Sequence, residues 1–331
     1  MKEKTVCITG ISGQIGSYLA EIFLEKGFKV YGLKRRTSSI NTQRIDHIFA
    51  NPNLKLVYGD ITDSASITNF INDIQPDYYC NAAAQSHVSV SFTIPVYTME
   101  ATGTSVLIAL EALRKHSPKT KFITFSSSEM FGSTPPPQNE KTIFHPRSPY
   151  AVAKLVGYNA TVNYREAYGM FACNAISFNS ESPRRGETFV TKKITKAAAR
   201  IKLGLQDKLY LGNLAALRDW SHAQDTANAV YTIVTADKPD DFVVASGEVH
   251  SVQEFVEIVF AKLDLDWKKY VEIDTRLFRP SEVDALCGDS SKLRNTLGWT
   301  PKFNFEDIVS EMTEYDLIQA TKEKNDETSI K

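Results

Sequence analysis

The segment that most limits what this chain can fold into is its start. Thr5-Val6-Cys7-Ile8-Thr9 is a short apolar run of strand type, and Gly10-Ile11-Ser12-Gly13-Gln14-Ile15-Gly16 follows at once. Residues 14–26 then carry Leu19, Ile22 and Phe23 on one helical stripe. A strand that turns through glycines straight into a helix brings bare backbone to the positive end of that helix, an arrangement that receives a pyrophosphate. The spacing is GxxGxxG rather than GxGxxG. Alone the pattern also fits a plain tight turn, and its strand–turn–helix setting is what gives it weight.

The same rhythm continues. Strand patterns fall at 29–33, 54–58, 78–83 and 121–125, with helical patterns at 98–115 and 149–168. This alternation predicts an α/β protein built on a doubly wound parallel Rossmann sheet with helices on both faces. After residue 179 helices dominate, at 191–203, 222–236, 252–263 and 305–320, with a strand at 241–245. The reading is an NADP-binding Rossmann domain over 1–178 and a smaller mixed α/β C-terminal substrate lobe over 179–331. The boundary is soft, since the sheet can borrow later strands. The polar stretch 322–331 is expected to fray.

Composition excludes other classes. A chain of 331 residues, 42% hydrophobic and with net charge -1, can bury a core and is neither disordered nor a dedicated nucleic-acid binder. Four cysteines without a CxxC pair leave no readable zinc framework, and no metal site is expected. No apolar run approaches the ~20 residues that cross a bilayer. Residues 1–4 lack the apolar core of a signal peptide. These features predict a cytoplasmic protein with no membrane partner.

Three further segments carry chemistry. Where an NAD enzyme places an acid after the second strand, this chain has Lys34-Arg35-Arg36-Thr37-Ser38. Two guanidiniums with neighbouring hydroxyls suit the 2′-phosphate of NADP, against the alternative of a solvated basic turn. Asp60-Ile61, after the third strand, can meet an adenine. Ser148 is placed to cap a helix with Pro149 in its first turn, which sets Tyr150 and Lys154 on one face. An ammonium beside a phenol favours the phenolate, so the pair can act as a base. Ser126-Ser127-Ser128-Glu129 ends another strand, where open α/β sheets bind ligands. Moving a hydride needs no carboxylate, whereas eliminating water beside a ketone needs an acid and a base, which Glu129 can offer, against the alternative of a Glu that only caps the loop.

Together the glycine turn, the hydroxyl-plus-Glu segment and the YxxxK pair resemble the extended short-chain dehydrogenase/reductase family. Longer runs resemble its GDP-mannose 4,6-dehydratases: Arg44-Ile45-Asp46-His47, Ala83-Ala84-Gln85-Ser86-His87-Val88, residues 147–154, residues 181–191 and Leu217-Arg218-Asp219-Trp220. The resemblance spans about 5–320. It implies a lyase with Ser127 in the place of a catalytic Thr, Glu129 as acid/base, and Tyr150 with Lys154 as the base pair. NADP would be lined by Gly10, Ile11, Ser12, Gly13, Gln14 and Ile15; by Arg35, Arg36, Thr37, Ser38, Asp60 and Ile61; and by Ala82, Ala83, Ala84, Gln85, Ser86, Tyr97, Lys154, Ser180 and Arg185. Ser86, Glu129, Asn179, Lys193, Arg218, Arg279 and Glu282 would meet a GDP-linked sugar.

The resemblance also has departures. Ile15 stands for the family's usual Asp, Ser180 for His, Ser221 for Gly, Ala215 for Asp and Ser127 for Thr. The expected reaction is conversion of GDP-mannose to GDP-4-keto-6-deoxymannose by internal hydride transfer from C4 to C6. The same dehydration of a GDP-manno-heptose or another GDP-hexose remains open. So do a 4-keto reductase or epimerase of the superfamily, and an inactive NADP sensor. The 35–44 segment resembles a loop that reaches a neighbouring subunit, which implies a homo-oligomer, a tetramer before a dimer.

Overall fold

A computed structural model describes residues 4–329, with side chains described through 326. Strands β1 (Thr5–Thr9), β2 (Lys29–Lys34), β3 (Leu54–Tyr58), β4 (Tyr78–Asn81), β5 (Lys121–Ser127) and β6 (Ala172–Ser177) form a parallel sheet in the order 3-2-1-4-5-6. The chain leaves it through β7 (Asn179–Glu181), β8 (Leu209–Leu211), β9 (Leu217–Arg218) and β10 (Trp220–His222). It returns with β11 (Asp241–Val244), which pairs with β6 as the seventh strand. Two short strands, β12 (His250–Ser251) and β13 (Val271–Ile273), pair with β9 and β8. β1 is flanked by β2 and β4, Ile8 standing opposite Gly32 and Cys80. The order of connection reverses there, so the loops beyond the carboxyl ends of β1 and β4 part and leave a crevice.

The helices in chain order are α1 (Gln14–Glu25), α2 (Ser64–Ile74), α3 (Val88–Ser91), α4 (Pro95–Met99), α5 (Ser105–His116), α6 (Pro149–Tyr168), α7 (Val190–Lys202), α8 (Ala223–Val234), α9 (Val252–Lys262), α10 (Ser291–Leu297) and α11 (Phe305–Ser329). Alternation along the strands feeds two cores, as a sheet buried on both faces requires. Val6, Ile8 and Ile123 pack with Leu19 and Phe23 of α1 and Val230 of α8 on one face. Cys7, Tyr79 and Phe122 meet Ile71 of α2 and Leu110 and Leu113 of α5 on the other. A separate core joins Ile194 and Ile201 of α7, Phe255 and Phe260 of α9, and Ile308 and Met312 of α11.

Four expectations shift. The helix expected over 98–115 starts at Pro95 and passes through one π turn, Glu100–Thr104, between α4 and α5. Gly103 lies in that turn against α6, where a Cβ would come 2.9 Å from the Ala153 carbonyl oxygen. β4 stops at Asn81 rather than 83, because the following alanines leave the sheet to line the crevice. β5 runs on to Ser127, held by pairing with Ser177. The stretch expected to fray continues α11 as far as the described residues go. There Lys324 Nζ donates to the Leu203 carbonyl (2.9 Å) and Glu323 pairs with Arg200. Residues 330–331, and 1–3 at the other end, lie outside that description. Among the described residues, no helix is long and apolar enough to cross a membrane.

Candidate active site

The crevice opens into a cavity of about 1170 Å3 that continues under the later lobe. At one end, Gly10 takes a positive φ of 67°, and a Cβ there would lie 2.9 Å from Ala83 backbone atoms. A Cβ at Gly16 would lie 2.2 Å from the Gly10 carbonyl oxygen. Both glycines are therefore demanded by closure of the turn. Gly13 caps α1 without any capping side chain and with no acid in the first turn, leaving a positive helix end bare toward the cavity. A pyrophosphate fits this cradle.

Gly10, Ser12, Gly13, Gln14 and Ile15 lie on the wall. The Ile11 side chain does not: it is fully buried and fills the space under Gly32. Arg35 is on the wall, its Nη1 donating to Tyr97 Oη (3.1 Å), and Tyr97 lines the cavity too. Arg36, Thr37 and Ser38 stand off it, the Arg36 guanidinium turned onto the Thr37 carbonyl. Asp60 and Ile61 line the wall, the Asp60 carboxylate accepting from the Thr62 N–H (3.0 Å) and hydroxyl (2.8 Å). Ala82, Ala83, Ala84, Gln85 and Ser86 form the floor opposite α1. Among the described residues, no group of three or more His, Cys, Asp or Glu could hold a metal ion.

The candidate reacting groups meet at the end of β5. Ser127 starts a one-turn 3-10 helix, Ser128–Met130, its Oγ accepting from the Glu129 N–H (3.2 Å), and the Glu129 carboxylate turns into the cavity. Ser148 caps α6 as its sequence suggests, accepting from the Ala151 N–H (3.1 Å), so Tyr150 and Lys154 both face the cavity. Burial pushes the Tyr150 phenol up to about 12, opposed by a hydrogen bond with Ser127 and, more weakly, by Arg185. Burial brings Lys154 down to about 8. The ammonium donates to the Phe125 carbonyl and stands 5.8 Å from the centre of the Tyr150 ring. Burial is the main influence on the phenol here, and the Ser127 hydroxyl, not Lys154, is the main group opposing it.

The far wall is cationic. Lys193, Arg218 and Arg279 line it with Asn179 and Glu282, and Arg276 stands beside them. Arg218 is buried, its Nη1 on the Leu217 carbonyl (2.8 Å). Arg279 Nη1 reaches Glu129 Oε1 (3.3 Å), and its backbone N–H donates to Glu282 Oε1 (2.9 Å). Arg185 stacks 3.7 Å over the Phe189 ring and pairs with buried Glu181 (3.1 Å). Ser180 lines the cavity while its hydroxyl pairs with Thr226 (2.8 Å), and Gln14 Nε2 donates to the Ser180 carbonyl (2.8 Å).

Two features escaped the sequence reading. His87 is on the wall, its ring 5.3 Å from Phe189 and its Nδ1 accepting from the Val90 N–H (3.3 Å). Buried Asp219 accepts from the Ser246 N–H (2.9 Å) and hydroxyl (2.7 Å) and the N–H groups of Gly247 (3.0 Å) and Gly288 (3.1 Å). A polar residue beside Arg218 gave no sign of this role, since its partners lie far along the chain. Asp219→Ala would strand those donors, and the expected loss is about 3 kcal/mol or more of stability. Chemical denaturation checks it; an unchanged midpoint would mean that the network carries little.

Residues 7–312 match the family model described as GDP-mannose 4,6 dehydratase. The chain belongs to that family. GDP-mannose 4,6 dehydratase 2 of Arabidopsis thaliana is 55% identical over 331 residues, covering 97% of this chain and 89% of the relative. GDP-mannose 4,6-dehydratase of Yersinia enterocolitica is 48% identical over 352 residues, covering 96% and 95%. The fold is also that of DesIV, a dTDP-glucose 4,6-dehydratase from Streptomyces venezuelae solved with NAD and TYD bound. That structure has TM-score 0.84 and 21% identity over 94% of this chain and 96% of that one. RMD from Pseudomonas aeruginosa, complexed with NADPH, has TM-score 0.78 and 22% identity over 95% and 99%. Of this family member's departures, Ile15, Ser127 and Ser180 are on the cavity wall. Ser221 is buried with its hydroxyl unpartnered.

Proposed function

We propose that this cavity carries out the 4,6-dehydration of GDP-mannose as an internal redox cycle with NADP, leaving a 4-keto-6-deoxy sugar. The enzyme is a hydro-lyase. The observation that carries the account is the meeting of Ser127, Tyr150 and Glu129 at the end of β5, between a glycine cradle and a cationic wall.

When bound, NADP supplies a hydride acceptor for C4 of the sugar and a donor for C6. The glycine turn and the bare end of α1 would receive its pyrophosphate. Arg35 would take the 2′-phosphate, where a carboxylate would have selected NAD. Tyr150 Oη, as the phenolate, removes the proton from O4, and Ser127 Oγ holds that hydroxyl. Lys154 keeps a positive charge beside the phenolate until that proton arrives. Once C4 is a ketone, the proton on C5 is acidic; the Glu129 carboxylate takes it and passes it to O6, which leaves as water. Arg218, Arg279 and Lys193 hold the diphosphate, guanidiniums being suited to bidentate contacts with its oxygens.

Incubation with GDP-mannose and with GDP-manno-heptose, read by mass spectrometry, tests this account. Loss of one water from GDP-mannose without added reductant is expected, and the nucleotide released on denaturation should carry the 2′-phosphate. Loss from the heptose alone would overturn the choice of sugar.

A pH prediction follows from Lys154. Its ammonium is needed, and its titration near 8 sets where it is lost. Above that pH kcat/KM should fall, and Lys154→Arg should move the limb out of range. A wild-type limb beginning only above about pH 10 would remove Lys154 from the role.

We further propose a cytoplasmic homo-oligomer, a tetramer before a dimer. Support comes from exposed Arg35, Arg36 and Ile40 on the 35–44 segment and from cysteines kept free, three of them buried. Sedimentation showing only monomer at micromolar concentration would rule the oligomer out.

A further inference from the structure

Arg279 is placed between two partners. In this structure its guanidinium sits on Glu129, the carboxylate assigned to the proton steps, although its neighbours on the wall are the cations Lys193, Arg218 and Arg276. It stands on the segment after the 3-10 turn Thr275–Leu277, anchored through its backbone N–H to Glu282 Oε1 (2.9 Å) rather than through the side chain. The side chain can therefore swing while the backbone stays. A sugar diphosphate entering this wall brings two charged groups with oxygens that accept bidentate contacts, a stronger partner for a guanidinium than one carboxylate oxygen at 3.3 Å.

We propose that Arg279 is a partner-exchanging positioning residue: it holds Glu129 in the free enzyme and passes to the diphosphate when substrate binds, freeing Glu129 for C5. The inference rests on the substrate reading above. It gives a reason for Glu129 to be occupied until a complete nucleotide sugar is in place. A sugar without the diphosphate would not release it.

The charged and titratable groups facing Glu129 are Tyr150 of α6, Arg218 of β9 and Arg279; Glu282, on the Arg279 segment, is charged toward Arg218. Arg218 is fixed by burial, so the exchange removes one of two cations. A carboxylate that loses a cationic partner binds a proton more readily. Diphosphate binding should then draw a proton from solution in mildly acid buffer.

The test uses the β-methyl ester of GDP, which keeps the diphosphate, has no phosphate proton to lose in that range and offers no sugar to react. Titration calorimetry of the holoenzyme, in buffers of different ionisation enthalpy between about pH 4.5 and 7, counts the protons taken up. Uptake that rises toward acid pH in the wild type and disappears in Glu129→Gln and in Arg279→Met is expected. Arg279→Met should also bind the ester about tenfold or more weakly. The acid limb of its kcat/KM should move up, a change that loss of packing would not produce. Binding with no proton uptake in the wild type overturns the exchange while leaving the substrate reading intact. Failure of the ester to bind at all overturns both. If Arg279→Met does not fold, Arg279→Lys serves, since one ammonium cannot hold two diphosphate oxygens in a planar fork and should give a partial loss of uptake.

Discussion

Replacing Glu129 by Gln should leave an enzyme that begins the reaction and cannot finish it. The amide matches the carboxylate in shape, and the Ser127 hydroxyl still receives the backbone N–H of residue 129. In the proposed cycle, what is lost is the ability to accept the C5 proton and return it to O6. General acid–base groups contribute about 10²–10⁴-fold, so dehydration should slow by that much. Oxidation at C4 depends on Tyr150 and Ser127 and should continue. Mixing the variant with GDP-mannose should therefore raise the near-ultraviolet absorbance of reduced nicotinamide, in proportion to enzyme and without loss of water. Near-normal turnover, or no absorbance rise at all, would remove Glu129 from the second half of the cycle.

The complementary change, Tyr150→Phe, should stop the reaction before it starts. Burial pushes the phenol up to about 12, so its proton must first pass to solvent, and the phenolate then takes the O4 proton and becomes a phenol again. Removing the hydroxyl deletes the acceptor for the O4 proton and leaves the Ser127 hydroxyl without its acidic neighbour. A loss of about 10²–10⁴-fold is again expected. Here no reduced nicotinamide should accumulate, because the first proton has nowhere to go. Thermal stability should change little, since burying a phenyl ring is easier than burying a phenol. The two variants thus separate the two halves of the chemistry. A Tyr150→Phe enzyme that built up reduced cofactor would assign the first proton to another group, with Ser127 the nearest candidate.

The parts of this site legible in the chain are those whose partners are close in sequence. The turn from Gly10 to Gly16, the cap at Ser148 and the four-residue step from Tyr150 to Lys154 are local patterns, and each forms where it is written. The strand rhythm is likewise local. Its β1 to β5 appear with ends moved by a few residues at most, because burial on both faces selects the same apolar runs, whereas β6 was not read from the chain. The π turn at Glu100–Thr104 was not legible, since its cause is the approach of Gly103 to Ala153 on another helix.

The sequence by itself determined the sheet class, the glycine turn that opens α1 and the step that sets Tyr150 and Lys154 on one face of α6, all of which depend on neighbours within a few residues. Tertiary structure decided what those groups face. It set Lys154 on the Phe125 carbonyl, turned Arg36 away from the cavity while keeping Arg35 on it, and sank Ile11 under Gly32. It also brought Arg279 across 150 residues to Glu129. Charge and burial act through space, so a carboxylate's partner or a phenol's environment is settled only once distant segments pack together.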